Sequence, residues 1–312
     1  MKHFFSFVIL ILFSCHCSYS QEKIEITYER DAQGNYKFYS NNLNFCNYIV
    51  EITFSSIVNL QSSNSNPFVK EVSPGKTFLF ELKSSNTQLS SSFNYTYRYF
   101  KGCINPTVKN DFTYLLPIKP GNGTEAFMLT YFRINEQQPE AKDWYAIGLK
   151  MNLGDTVYAA RRGIVSHVRD TAHLKLSGYS YTSEENYLEI YHDDCSFGTY
   201  QVLSKIFLNP GEKVEAGDPI GLAGGKNYSM GPHVRFLVSY NYQDMASNKK
   251  EGEKGKTFYN AYVPLYFHTK ESGKIRLEYG IKYTSEHTDS LIIQEMNKRE
   301  IKKWNKKMNQ PR

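Results

Sequence analysis

The sequence predicts an all-β protein with two β-rich domains and one helical segment near its C-terminus. Short runs rich in Tyr, Phe, Ile, Val and Thr alternate with breaks rich in Asn, Ser and Gly through most of the 312 residues. Apolar residues recur at about every second position within the runs, as on a half-buried strand. A chain of this length exceeds a usual single domain, so two domains are expected.

The first twenty residues have the composition of a secretion signal. A basic start at Lys2 precedes an apolar run over residues 4–13, and Ser18-Tyr19-Ser20 follows, which suits signal peptidase. We therefore expect residues 1–20 to be removed and the chain to be exported, to the periplasm or to the extracellular side of the cell envelope. Leu12-Phe13-Ser14-Cys15 is an imperfect lipoprotein box, so a lipid anchor is the alternative.

Residues 21–120 predict a small β-sandwich of immunoglobulin-like type. Apolar positions alternate in Tyr48-Ile-Val-Glu-Ile-Thr-Phe54 and again in Lys76-Thr-Phe-Leu-Phe-Glu-Leu82. Turn-forming Asn and Ser residues separate such runs, as in an antiparallel sandwich. Two prolines and two glycines within residues 117–123 mark a domain boundary.

Three cysteines remain once Cys15 and Cys17 leave with the signal. An oxidising compartment permits one bridge among Cys46, Cys103 and Cys195. Because Cys46 and Cys103 share the N-terminal segment, we expect these two to pair and Cys195 to be an ordinary thiol near a turn.

Glycine-punctuated strands continue from residue 127 to residue 240. Gly154-Asp-Thr-Val-Tyr-Ala-Ala160 is followed by a Val-x-x-Gly-Asp-x-Ile-Gly pattern at residues 214–221 and by Gly231-Pro-His-Val-Arg-Phe236. In order and spacing, these segments resemble the M23 (lysostaphin-like, LytM) zinc endopeptidases, which cut peptide cross-links in bacterial cell walls. The resemblance implies an M23-like β-sheet domain, a duplicated hybrid motif, which we expect over residues 121–285.

The resemblance also identifies the positions where this family holds zinc. An active M23 enzyme has a His-x-x-x-Asp element, a Tyr-x-His-Leu strand and a terminal Gly-Pro-His-x-His. The first His, the Asp and the last His bind zinc, and the other two histidines assist the chemistry. On this chain Trp144 stands at the first histidine and Gly148 at the aspartate. Val202 stands at the central histidine, His233 retains the next one, and Arg235 replaces the last ligand.

These replacements imply that zinc has been lost and that the chain carries no cofactor. A catalytic zinc needs about three protein ligands and an open position for water, and Trp144, Gly148 and Arg235 supply none. Arg235 would also repel the cation. Other potential ligands are present in the sequence, but their spacing does not place three of them on one face, as a metal site would need. These potential ligands are His167, Asp170, His173, His192, Asp193 and Asp194.

The altered site predicts a binding groove lined by Trp144, His233 and Arg235. An indole offers a flat face for sugars or peptide side chains, and a guanidinium offers a planar fork for carboxylates. Two alternatives remain open. Trp144 could fill the space left by the lost metal site, and Arg235 could pair with an internal acid.

The basic charge is concentrated in the C-terminal segment, residues 286–312. The formal net charge is +6, but residues 296–312 contain seven Lys or Arg against one Glu, so residues 21–295 are close to neutral. This distribution argues against a nucleic-acid partner. Apolar residues at helical spacing predict one amphipathic helix from Asp289 or Ser290 to about Met308. The helix could rest on the protein's own body or contact an anionic surface.

We therefore expect an exported, non-catalytic M23-like protein of the cell envelope. It would bind peptidoglycan or regulate a cell-wall hydrolase such as an amidase, as family members without zinc ligands do. One alternative is an active M23 metalloendopeptidase with a non-standard zinc site, and another is a cell-wall adhesion module.

Overall fold

A computed structural model describes residues 24–131, 141–170, 185–243 and 258–308. The secondary structure in these segments is almost entirely β-strand, with two short helices, which confirms the all-β prediction. The predicted signal, residues 1–20, lies outside the described residues. Among the described helices, none is both long and apolar enough to span a bilayer.

The N-terminal part consists of two antiparallel sheets that share one core. Its strands are β1 (Ile24–Arg30), β2 (Tyr36–Asn42), β3 (Tyr48–Val58), β4 (Leu60–Gln61), β5 (Phe68–Val72), β6 (Gly75–Ser84) and β7 (Ser92–Lys101). One sheet has the order β1-β2-β6-β4 and the other β5-β3-β7. Phe38 of the first sheet stacks on Phe80 at 4.8 Å and meets Phe54 of the second edge-on at 5.8 Å between ring centroids.

The C-terminal part is built around one large sheet. Its strands are β8 (Thr113–Leu115), β9 (Gly123–Met128), β10 (Ala146–Lys150), β11 (Thr156–Tyr158), β12 (Gly163–Arg169), β13 (Tyr187–Tyr191), β14 (Phe197–Gln201), β15 (Leu203–Ile206), β16 (Lys213–Val214), β17 (Pro219–Ala223), β18 (His233–Gln243), β19 (Phe258–Tyr262), β20 (Tyr266–Thr269), β21 (Gly273–Ile275) and β22 (Lys282–Thr284). Within the described segments the large sheet runs β16-β12-β13-β14-β18-β10-β9-β22, and β19 pairs with β18. Two smaller sheets, β11-β17-β15 and β21-β20-β8, complete this part.

Strand β18 lies at the centre of the large sheet and positions the candidate site. It pairs with β10 on one side and β14 on the other, so that Arg235 lies opposite both Gly148 and Gln201. Because side chains alternate along a strand, Val234 and Phe236 point to the opposite face from Arg235. Both belong to the buried core of this part.

The second core begins earlier in the chain than the boundary expected at residues 117–123. Phe112 and Tyr114 already belong to it. Strand β8 pairs in parallel with β20, so that Tyr114 lies opposite Phe267. The change from one core to the other therefore comes before Phe112.

The disulfide joins Cys103 to Cys195, and Cys46 is a buried free cysteine. The predicted Cys46–Cys103 bridge is therefore wrong, and so is the free thiol expected at Cys195. The reason is that the end of β7 packs against the other part of the molecule, where Lys101 is ion-paired with Glu189 at 2.9 Å. This contact brings the two Cα atoms of the observed bridge to 5.9 Å, which is within disulfide range.

The predicted C-terminal helix is interrupted. Helices α1 (Asp289–Ile292) and α2 (Lys298–Met308) form in place of one continuous helix. Asn297 caps α2, because its Oδ1 accepts hydrogen bonds from the backbone N–H groups of Arg299 and Glu300. The Glu300 carboxylate in turn accepts from the N–H of Asn297, which completes a capping box. This local pairing starts a new helix where periodicity alone predicted continuation.

Candidate functional site

The ring of Phe127 covers Gly148, the position of the metal-binding aspartate in the resemblance described above. Phe127 lies opposite Gly148 in the β9–β10 pair and is 4% exposed. A Cβ atom on Gly148 would lie 2.0 Å from Phe127 Cζ, far inside contact distance. Sequence analysis overlooked Phe127, although a glycine inside a strand does indicate the close approach of another group. The space beside Gly148 is filled by Phe127 and not, as one alternative held, by Trp144.

Arg235 is held on three sides. Its Nη1 is ion-paired with Glu185 Oε1 at 2.7 Å, and its Nε donates to His233 Nε2 at 3.2 Å. The guanidinium carbon lies 4.8 Å from the centroid of the Tyr228 ring, and the Tyr228 hydroxyl donates to the same Glu185 oxygen at 2.6 Å. With side chains of Arg235 and Glu185 only 17% and 12% exposed, the guanidinium is occupied by an internal acid.

His233 is fully buried in a neutral form. Its Nδ1 lies 2.7 Å from the carbonyl oxygen of Gly231, while Nε2 faces the Nε–H of Arg235. An arginine can only donate, so Nε2 is the acceptor and the proton resides on Nδ1. Burial lowers the pKa of His233, and the positive charge of Arg235 lowers it further. Both ring nitrogens are therefore already in use.

Val202, which the resemblance places at the position of the assisting histidine, lies close to His233. It is 5% exposed and has a φ of 66°, a left-handed conformation that costs a β-branched residue about 1–3 kcal/mol. A Cβ on Gly225 would lie 2.9 Å from Val202 Cγ1 and 3.2 Å from His233 Nδ1. This position thus carries an apolar side chain, which cannot transfer a proton.

Trp144 lies in a separate aromatic cluster. Its Nε1 donates to the carbonyl oxygen of Leu129 at 2.7 Å, and its ring lies 5.0 Å from Tyr131 and 4.6 Å from Tyr262 between centroids. These contacts share no residue with those of His233 and Arg235. The structure brings His233 and Arg235 together but does not bring Trp144 to them, so the three do not line one groove.

The residues at this site do not fit a zinc ion. The aspartate position is covered by Phe127, the last ligand position carries a cation, and the nitrogens of His233 are engaged. Over residues 24–131, 141–170, 185–243 and 258–308, no three His, Cys, Asp or Glu side chains are grouped so as to hold a metal.

Three of the other candidate ligands have partners of their own. His167 stacks on Tyr187, and His192 Nδ1 lies 2.7 Å from the carbonyl oxygen of Arg162. Asp194 is ion-paired with Arg161 at 2.9 Å. His173 lies outside the described residues.

Two adjacent arginines, which the sequence analysis did not single out, attach the C-terminal segment to the sheet domain. Arg161, which is fully buried, binds Asp194 at 2.9 Å and Glu295 at 2.7 Å. Arg162 binds Glu300 at 2.8 Å and donates to the backbone oxygen of Glu295. These contacts fix the break between α1 and α2, at Glu295, and the first turn of α2, at Glu300.

Comparison with known proteins concerns the domain that carries this site. Residues 142–247, about a third of the chain, match the model of peptidase family M23. These residues form an M23-family domain. A curated relative, an uncharacterised metalloprotease of Buchnera aphidicola subsp. Baizongia pistaciae, is 46% identical over 54 residues, and this match spans 17% of the chain and only 14% of that relative.

Solved structures similar to the M23 domain include peptidases of the same family. The catalytic domain of lysostaphin from Staphylococcus simulans is 26% identical, with 32% of this chain and 72% of that one covered and a TM-score of 0.25. The catalytic domain of the prophage-encoded M23 protein EnpA from Enterococcus faecalis, solved as a point mutant, is 22% identical. The match covers 38% of this chain and 84% of that one, with a TM-score of 0.26.

Proposed function

We propose that this chain is a non-catalytic M23-family protein of the cell envelope, which binds peptidoglycan or a cell-wall hydrolase instead of cutting peptides. One observation carries the proposal. Two of the three zinc-ligand positions are built over, one by the ring of Phe127 against Gly148 and the other by Arg235 paired with Glu185.

The chemistry of the family explains why this matters. Zinc-dependent hydrolysis relies on a bound water whose pKa the metal lowers toward neutrality. A guanidinium has donors only, so Arg235 cannot coordinate a metal. Glu185 neutralises its charge, so the site is electrostatically complete without a metal.

A polar recess beside the closed site supports a binding role. It has a volume of about 840 Å³, and its lining includes Lys119, Lys150, Lys282, Glu125 and Asp155. Lys150 lies opposite His233 in the β10–β18 pair, on the same face of the sheet as the closed site. Because Lys150 is already ion-paired with Glu125 at 2.7 Å, we expect Lys119 and Lys282, with nearby amide and hydroxyl groups, to bind the carboxylates and sugars of peptidoglycan fragments.

The test is zymography on purified cell walls, with an active M23 peptidase as positive control, together with cosedimentation on insoluble peptidoglycan. We expect no clearing of the cell walls. We expect the chain to bind peptidoglycan, and we expect the double variant Lys119→Glu with Lys282→Glu to bind more weakly. The control variant Lys37→Glu with Lys83→Glu should bind as the wild type does. Zinc-dependent clearing would establish the alternative of an active peptidase with a non-standard site. If the chain does not bind cell walls, the proposed partner is a cell-wall hydrolase. Measuring whether the chain activates purified amidases then tests that partner.

A further inference from the structure

Helix α2 carries six cationic side chains within eleven residues. All six are exposed; they are Lys298, Arg299, Lys302, Lys303, Lys306 and Lys307. The helix is about 16 Å long, from its rise of about 1.5 Å per residue. Within the part of the chain that the structure describes, none of the six forms an ion pair with a carboxylate.

The six cations lie on one half of the helix. Successive residues of an α-helix are rotated by about 100°, which places all six within about 180° of arc. The opposite half holds Ile301, Trp304 and Met308, and Glu300 lies next to these apolar residues. Glu300 is the acidic residue of this helix, and it does not interrupt the cationic half.

Contacts with the sheet domain determine which half faces solvent. Glu300 Oε1 binds Arg162 at 2.8 Å and Lys213 at 2.9 Å. Ile301 and Trp304, on the same side, are half-buried. The apolar half is therefore turned toward the body of the protein, and the cationic half is turned outward.

We propose that the outward half of α2 is an electrostatic docking surface for an anionic phospholipid bilayer. Each Lys or Arg held near such a surface strengthens binding about fivefold. Ammonium groups act as point charges and need no directional partner, which suits a flat array of phosphate headgroups. The half has no aromatic residue on which a base could stack, as single-stranded nucleic-acid sites have. This surface is distinct from the recess proposed to bind cell walls.

The test is cosedimentation of the full chain with vesicles of phosphatidylglycerol and phosphatidylcholine in equal parts, and with phosphatidylcholine alone. We expect binding only to the anionic vesicles, with loss as salt is raised. Replacing Lys302, Lys303, Lys306 and Lys307 by Gln should lower the partition coefficient by about a hundredfold or more. Glutamine keeps the helix propensity, which far-UV circular dichroism verifies.

A matched control separates this surface from net charge. The control variant has four exposed lysines outside α2 replaced by Gln, so its net charge changes by the same amount. Its partition coefficient on anionic vesicles should stay within about twofold of the wild-type value. The four lysines are Lys37, Lys83, Lys205 and Lys226. Equal loss in both variants, or unchanged binding in the α2 variant, would overturn the proposal. Binding to a soluble anionic polymer but not to vesicles would overturn it as well.

The fluorescence of Trp304 tests the orientation. With Trp144→Phe, Trp304 is the single tryptophan, and its emission should stay unchanged on vesicle binding because it faces the protein. A blue shift would mean that the apolar half inserts into the bilayer, which contradicts docking by the cationic half. Peptidoglycan binding should be equal in all these variants, so a failure here is distinguishable from a failure of the proposed wall-binding role.

Discussion

Phe127 and Gly148 form a complementary pair across strands β9 and β10. The ring occupies the volume in which any side chain at position 148 would begin, with 2.0 Å between Phe127 Cζ and a Cβ on Gly148. The family resemblance assigns a zinc-binding aspartate of active M23 enzymes to position 148. The glycine at this position and the ring across from it are thus two halves of one packing arrangement.

Gly148→Ala should therefore destabilise the fold strongly. We expect a loss of about 3 kcal/mol or more in the free energy of unfolding, at the upper end for overpacking, measured by urea denaturation. In a Phe127→Ala background, Gly148→Ala should instead raise the free energy of unfolding. Once the ring no longer fills the space, alanine in a strand is favoured over glycine by about 0.5–1 kcal/mol.

Gly123→Ala in β9 is the matched control. The nearest atom to its new Cβ would be the carbonyl oxygen of Tyr283 at 3.9 Å, an ordinary contact, so stability should change by less than about 0.5 kcal/mol. A similar cost for Gly148→Ala with and without the Phe127 ring would show that the two residues do not compete for one volume.

Arg161→Leu should lower the free energy of unfolding by about 3–5 kcal/mol, because it leaves the buried carboxylates of Asp194 and Glu295 without their shared partner. The same change should expose the segment between α1 and α2 to limited proteolysis. Lys76→Gln, which breaks an exposed pair with Glu29, should cost less than about 1 kcal/mol. Comparable costs for the two variants in urea denaturation would refute the role given to Arg161.

Acidification should destabilise the protein through His192. Burial, with the nearby charge of Arg161, lowers the pKa of His192 to about 4 from the usual 6.5. The unfolded chain therefore binds this proton first, and the stability, complete above pH 6.5, declines as pH falls toward 4. The expected loss is about 3 kcal/mol over this range.

His192→Asn separates this effect from other titrations. An asparagine amide retains a donor for the Arg162 carbonyl oxygen but does not titrate. In this variant, stability should fall much less between pH 6.5 and 4 than in the wild type. Burial also lowers the pKa values of His233 and His287, so these two histidines should still cause a smaller loss of stability on acidification. Equal pH dependence of the free energy of unfolding in the wild type and the variant would contradict the assignment to His192.

Peptide mapping without reduction should recover Cys103 linked to Cys195 and Cys46 as a thiol. Cys195→Ser should lower the free energy of unfolding by about 2–5 kcal/mol, because the bridge closes a long loop. Cys46→Ala, which removes only a buried thiol, is the control and should cost less than Cys195→Ser. A mapped Cys46–Cys103 bridge would show that the packing between β7 and the M23 domain differs in solution.

Sequence patterns were sufficient for the elements that depend on local chemistry. Alternating apolar residues predicted strands over residues 48–54 and 76–82, which lie within β3 and β6. The family resemblance located Gly148, Val202, His233 and Arg235, and these residues lie on or beside the central strands β10, β14 and β18. Periodicity predicted the strands, and the order of the motifs carried the resemblance that indicated the M23 domain.

Only the tertiary structure decided what surrounds the positions that the resemblance assigns to a metal site. Phe127 is close to Gly148 because β9 adds to the sheet beside β10, and Glu185 reaches Arg235 across 50 residues of sequence. The pairing of Cys103 with Cys195 likewise follows from packing between the two parts of the molecule. Local patterns carry no information on which distant side chain fills a given volume or neutralises a given charge, because that depends on how strands order themselves in a sheet.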